Sequence, residues 1–174
     1  MGLAMPTSGS TSPRPNGVMW TMAMEDQKLP WDGGCRCGRV RIRVTKPPMM
    51  TMACHCLGCQ TMSASAFSLS IALPLDGLEV TEGETVIGGL HGDPAHHHFC
   101  DWCKTWMFTR VEQFGLVNLR PTMLDDHRDY APFIETQTAE KLPWATTPAK
   151  HSFDRFPAME DYERLTREYQ ASLV

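Results

Sequence analysis

The sequence has no apolar run approaching the ~20 residues that a bilayer-spanning helix needs, so no membrane segment is expected. It also lacks a basic tract. Five Lys and eleven Arg are scattered through 174 residues, against 20 acidic residues and a formal net charge of −4. Nucleic-acid surfaces cluster their cations, so that class of partner is not expected. The first residues show neither the basic segment nor the apolar core of a secretory leader, and a reducing compartment, the cytoplasm, is the expectation. Three catalytic signatures are missing as well: there is no His-Glu-x-x-His, no Gly-x-Ser-x-Gly and no phosphate-binding glycine loop. Zinc-peptidase, serine-hydrolase and nucleotide chemistry of those kinds therefore have no foothold. Self-association into a homo-oligomer is left open.

What the chain does have is thiols. Its seven cysteines fall in three clusters, Cys35-x-Cys37, Cys54-x-Cys56-x-x-Cys59 and Cys100-x-x-Cys103. An odd number cannot pair completely, Cys-x-Cys disulfides are strained rings, and disulfides are rare in a reducing compartment. Zinc accommodates the count. Cys35, Cys37, Cys100 and Cys103 can close one tetrahedral four-thiolate site, which contributes folding free energy and leaves no room for a substrate. Cys54, Cys56 and Cys59 then supply three ligands and leave a fourth position open, as in catalytic zinc centres. The trio could instead close with His55, His91, His96, His97 or His98; His55 lies between two ligands and should point away from a metal they share. Two other readings stay open. One is a binding module with two structural zincs, recruiting a partner through its C-terminal helix or an aromatic surface. The other is a thiol-disulfide protein, which would need a resolving cysteine free of metal.

Charge narrows the chemistry. Zinc with three thiolates and a neutral fourth ligand carries a formal −1, which makes it a weaker Lewis acid than a tri-histidine centre. It should favour another thiolate over hydroxide, pointing to thiol chemistry and away from hydrolysis. Trp102, Trp106 and Phe99 are candidates for an apolar wall, with core packing the plainer role for each. His55 could hydrogen-bond a carboxylate or a water.

Residues 1–16 are mostly Gly, Ser, Thr and Pro and are expected to be disordered. Val18–Met24 alternates weakly, and Gln27–Gly34 reads as turn material. Strands are expected over Val40–Val44, Met49–Ala53, Phe67–Leu73, Leu78–Val80 and Thr85–Ile87, with a hairpin of Trp106–Val111 and Phe114–Leu119. Gln60–Ser65 reads as a turn or short helical segment, and Thr122–Asp126 as one helical turn. His127–Phe156, with three prolines, should wrap the core as extended chain. Met159, Tyr162, Leu165, Tyr169 and Leu173 recur at helical spacing and predict a helix over Ala158–Leu173. Together these give a mainly β domain over residues 17–145, with an extension over 146–174 that carries the helix.

The ordered set of clusters resembles the glutathione-dependent formaldehyde-activating family, which includes the centromere protein V type of domain. The matching pieces are Gly34-Cys35-Arg36-Cys37-Gly38, Cys54-His55-Cys56-Leu57-Gly58-Cys59-Gln60 with Ser63–Phe67 behind it, Phe99-Cys100-Asp101-Trp102-Cys103 and Thr122–Asp126. They span roughly Trp31 to Trp144. The resemblance implies stacked, twisted antiparallel sheets of the zinc-ribbon-like (β-tent) type. It implies a structural zinc on Cys35, Cys37, Cys100 and Cys103 and a catalytic zinc on Cys54, Cys56 and Cys59. It also implies a carbon-sulfur lyase whose substrates are a small-molecule thiol (glutathione) and an aldehyde. Two positions depart from the family pattern: Lys104 replaces the usual glycine after the last cysteine, and Pro132-Phe133-Ile134 lacks the usual histidine.

Overall fold

The computed structural model describes residues 28–90 and 92–173. The N-terminal segment, the weak strand at Val18–Met24 and His91 lie outside the described residues. Eleven strands and two α-helices follow in chain order: β1 Trp31–Gly34, β2 Arg41–Val44, β3 Met50–Cys54, α1 Leu57–Ser63, β4 Ser68–Pro74, β5 Leu78–Glu82, β6 Thr85–Gly88, β7 His96–Cys100, β8 Trp106–Val111, β9 Leu116–Leu119, β10 Ile134–Thr136, β11 His151–Ser152 and α2 Asp161–Ala171. They form a three-stranded sheet, β1-β2-β5, and an eight-stranded one, β11-β10-β3-β4-β9-β8-β7-β6. All pairings are antiparallel except those of β10 with β3 and with β11.

The alternation of Arg41-Ile42-Arg43-Val44 explains how the sheets stack. Ile42 and Val44 are fully buried, while Arg43 faces out to Asp32 at 2.8 Å. Their apolar side meets Ile71, Leu73, Met107, Phe108, Val117 and Leu119 of the large sheet in one continuous core. A second core lies against Met50 and Ala72, where Phe133, Ile134, Leu165 and Tyr169 close over the strands. Leu165 of α2 is fully buried, which contributes about 2 kcal/mol. The helix begins three residues later than its apolar spacing predicts. Ala158 and Met159 form a tighter turn, with Asp161 N donating to Ala158 O and Tyr162 N to Met159 O, and Met159 stays exposed.

Two further expectations change. Trp31–Gly34, expected as turn, is the edge strand β1. Its glycines are there for close approach rather than for bending: a Cβ on Gly33 would lie 2.3 Å from Met123 O, and one on Gly34 would lie 2.7 Å from Val40 O. On β4, the Ser68, Ser70 and Ala72 side is as buried as the Ile71 and Leu73 side, because β4 is a central strand covered on both faces. The looping segment after His127 contains β10 and β11, too short to show periodicity. β10 lies parallel to β3 in a register that sets Thr136 beside Cys54.

Gly33→Ala should therefore destabilise the fold by more than ~1 kcal/mol through overpacking against backbone. Urea denaturation of the two proteins checks this; an unchanged midpoint would mean that β1 can move away from the Met123 turn.

Candidate metal centres

The sequence puts the first thiol pair in a tight turn, and the structure shows why the turn suits it. Cys35 ends β1, Gly38 takes φ +77° to reverse the chain, and Val40 N donates to Cys35 Sγ at 3.3 Å. Across the sheets, Cys100 ends β7 and Cys103 follows in a turn closed by Lys104 N donating to Cys100 O at 2.9 Å. The four sulfurs lie within 4.8 Å of one another. Four sulfurs at ~2.3 Å from a common centre would stand about 3.8 Å apart; the Cys35–Cys37 separation is 3.5 Å and the Cys37–Cys100 separation 3.8 Å. The cluster fits a tetrahedral ion. It joins the small sheet to the large one.

The sulfurs are electrostatically prepared. Burial opposes ionisation of Cys103, but hydrogen bonds from the Thr105 hydroxyl and amide bring its pKa down to about 5. For Cys37 the Arg39 amide favours the thiolate, yet burial and the neighbouring thiols push it up to about 11. None of the seven cysteines forms a disulfide.

The middle trio is built differently. Cys54 ends β3 and is buried; Cys56 is the N-cap of α1, its sulfur accepting from Cys59 N at 3.3 Å; Cys59 sits in the helix's first turn. Their sulfurs also lie within 4.8 Å of one another, and no fourth Cys, His, Asp or Glu joins them among the described residues. A hydrogen bond from the Cys59 thiol holds Cys54 down to about 5 despite burial, and the same bond pushes Cys59 up. The strands on either side of β3 offer hydroxyls, Ser68 on β4 and Thr136 on β10, both in register with Cys54.

His55 points away from the trio. It is fully buried, and its Nε2 is 3.1 Å from Glu135 Oε2. Glu135 also accepts from Lys141 Nζ (2.8 Å), Thr147 Oγ1 (2.8 Å) and Ser152 Oγ (3.0 Å). Burial disfavours that carboxylate's charge, but these donors together with His55 hold its pKa at about 2. His97 and His98 are engaged on β7, with Thr109 Oγ1 at 2.8 Å and Thr85 Oγ1 at 2.9 Å. Of the proposed wall residues, Trp106 is buried and stacks on Phe99, whereas Trp102 is 67% exposed beneath Arg39. The sequence reading missed Glu135, Ser68, Thr136 and a buried arginine, Arg120. The signal for Arg120 was faint: one cation between the end of β9 at Leu119 and Pro121.

Residues 30–140 match the family model described as glutathione-dependent formaldehyde-activating enzyme. The chain belongs to that family. No curated protein matches the chain. Among solved structures it is similar to a Rhodobacter sphaeroides protein known from a crystal structure, at 21% identity, with 54% of this chain and 87% of that one covered and a TM-score of 0.46.

The position after the last cysteine has a backbone conformation that favours glycine. Lys104, which stands there, has φ +56°, a left-handed conformation that is unfavourable for a residue with a Cβ. Its ammonium meets Asp101 Oδ1 at 2.7 Å on the exposed surface, a contact worth little. Lys104→Gly should thus raise stability by ~1 kcal/mol, read as an upward shift in Tm, whereas Lys104→Ala should give no gain. The Glu135 cluster makes a second prediction. A carboxylate held near 2 when folded and at ~4.3 when unfolded stabilises the fold fully above pH ~5 and progressively less as pH falls through 2. Glu135→Gln should cost ~2–4 kcal/mol at pH 7, with the gap to wild type narrowing below pH ~4.5 in urea titrations at a series of pH values.

Proposed function

We propose that the protein is a zinc-dependent carbon-sulfur lyase that makes and breaks adducts between a small-molecule thiol, glutathione or a close analogue, and a small aldehyde. The observation behind this reading is the inequality of the two clusters, four sulfurs in one and three in the other with no fourth ligand type beside them among the described residues. All-sulfur donor sets favour a soft borderline ion such as zinc over hard cations. Cys35, Cys37, Cys100 and Cys103 would hold a structural zinc with no place for substrate. Cys54, Cys56 and Cys59 would hold a second with one corner free.

When bound there, the second zinc supplies a soft Lewis-acid position that keeps a thiol ionised near neutral pH. The chain's own residues hold and orient. Cys54 is fixed by β4 and β10 on either side, and Cys56 by the Cys59 amide. Trp106 supplies a buried aromatic plate. In the forward direction the thiol's sulfur forms a bond to the carbonyl carbon, the C=O π pair moves to oxygen, and the proton lost by sulfur ends on that oxygen. The reverse breaks the carbon-sulfur bond and returns the aldehyde. Bringing both reactants to one site removes most of the entropic cost of their encounter. Formaldehyde is the aldehyde that the family's description names. Seven unbonded thiols suit a reducing compartment such as the cytoplasm, and no helix among the described residues is long and apolar enough to cross a membrane.

Metal analysis of the purified protein should return about two zinc ions per chain, falling to about one when Cys54, Cys56 and Cys59 are replaced by serine. With cobalt in place of zinc, glutathione should produce a new sulfur-to-metal absorption band. A spectrum indifferent to every biological thiol tried, or a fourth ligand supplied permanently by the chain, would overturn the reading.

A further inference from the structure

Among the described residues, four buried side-chain polar atoms have no hydrogen-bond partner: His55 Nδ1, Ser68 Oγ, Asn118 Oδ1 and Arg120 Nε. Register puts three of them on one face of the large sheet. Cys54 pairs with Ser68 across β3 and β4, and Ala72 pairs with Asn118 across β4 and β9. Residues two apart share a face, so Cys54, Ser68, Ser70, Ala72, Asn118 and Arg120 lie on the same side. Arg120 is one step beyond the Ile71–Leu119 pair, which brings it level with Ser70.

Arg120 is the anomaly on that face. It is only 8% exposed, and among the described residues its Nη2 donates to Asn118 O at 3.1 Å while its Nε has no partner. Its guanidinium lies 4.2 Å from the centre of the Trp106 ring. Among the described residues, no carboxylate is paired with it. The groups whose field opposes the effect of burial on its ionisation are the sulfurs of Cys59 and Cys54. A buried cation without an anion is expensive, and the candidate anion on the same face is Cys54, whose thiol is held down to about 5, together with the trio once it is loaded.

We propose that Arg120 is the buried counter-cation of the Cys54/Cys56/Cys59 centre, a positioning residue that biases its free corner toward an anionic ligand. The charge count gives the reason. A divalent ion on three thiolates is −1, and the centre with Arg120 is neutral. A thiolate entering the free corner brings the centre to −1 with Arg120 and to −2 without it. The cation therefore favours thiolate over water at that corner, and it favours the loaded trio, whose net charge is −1, over the empty one. The part concerning an incoming thiol rests on the function proposed above; the part concerning the trio's own affinity for metal does not.

The experiment compares wild type, Arg120→Met and Arg120→Lys. Cobalt is titrated against a chromophoric chelator to read the two sites separately. In Arg120→Met the trio's affinity should fall about tenfold or more, while the four-cysteine site, an internal check on folding, keeps its affinity. Arg120→Lys should recover most of the loss. The loaded proteins are then titrated with 2-mercaptoethanol, a thiol with no other charge, at a series of pH values. The pH midpoint for thiol binding should rise by about one unit in Arg120→Met and return toward wild type in Arg120→Lys. Unchanged trio affinity with an unchanged midpoint overturns the inference while leaving the lyase reading intact. Loss confined to carboxylate-bearing thiols, with 2-mercaptoethanol unaffected, also overturns it and makes Arg120 a substrate-carboxylate dock. A drop in trio affinity in a protein whose wild type ignores every thiol supports the counter-cation and removes the lyase function.

Discussion

The convergence of Cys35 and Cys37 with Cys100 and Cys103 is the constraint on which the rest of the architecture depends. These residues sit in turns after β1 and at the end of β7, in different sheets, and an ion shared by the four sulfurs would tie those turns together. The core between the sheets is built from aliphatic side chains of modest size on short strands. Such a body gains from a covalent-strength tie at its edge. The turn geometry serves the tie: Gly38 reverses the chain, the Val40 amide faces Cys35, and Lys104 accepts a strained conformation so that Cys103 can come round.

The trio stands on the large sheet and follows another logic. Its first sulfur is held by a strand paired on both edges, and the other two by the opening turn of a short helix. Three sulfurs placed by paired backbone, with hydroxyls beside the first and a buried guanidinium on the same face, form a support that would preorganise a metal centre. Family membership and this asymmetry point the same way, although they rest on different observations. The first is a pattern of residues over 30–140 and the second is a matter of which side chains meet.

Much of this was legible in the sequence, for identifiable reasons. The cysteine spacings carry strong local geometry, so the grouping of thiols into four and three could be read before any fold was known. Alternation in Arg41–Val44 and the apolar run of Phe67–Leu73 carried their strands, and the spacing of Tyr162, Leu165 and Tyr169 carried α2. What escaped notice depends on partners remote in sequence. Gly33 and Gly34 read as turn residues because nothing local reveals that Met123 and Val40 press against them. Strand β10 has three residues and makes sense only beside β3. Arg120 and Glu135 look like ordinary surface charges until the sheet buries them.

The orientation of His55 has a consequence for relatives of this protein. The peptide unit joining two ligands sends sulfur to one side and imidazole to the other, where Glu135, Lys141, Thr147 and Ser152 converge. Lys141, Thr147 and Ser152 thus bear on the back of the trio through Glu135 and His55. A lineage that lost His55 would leave the carboxylate short of a donor, and one that lost Glu135 would strand the imidazole. These positions should covary as a group in descent, independently of the cysteines they support.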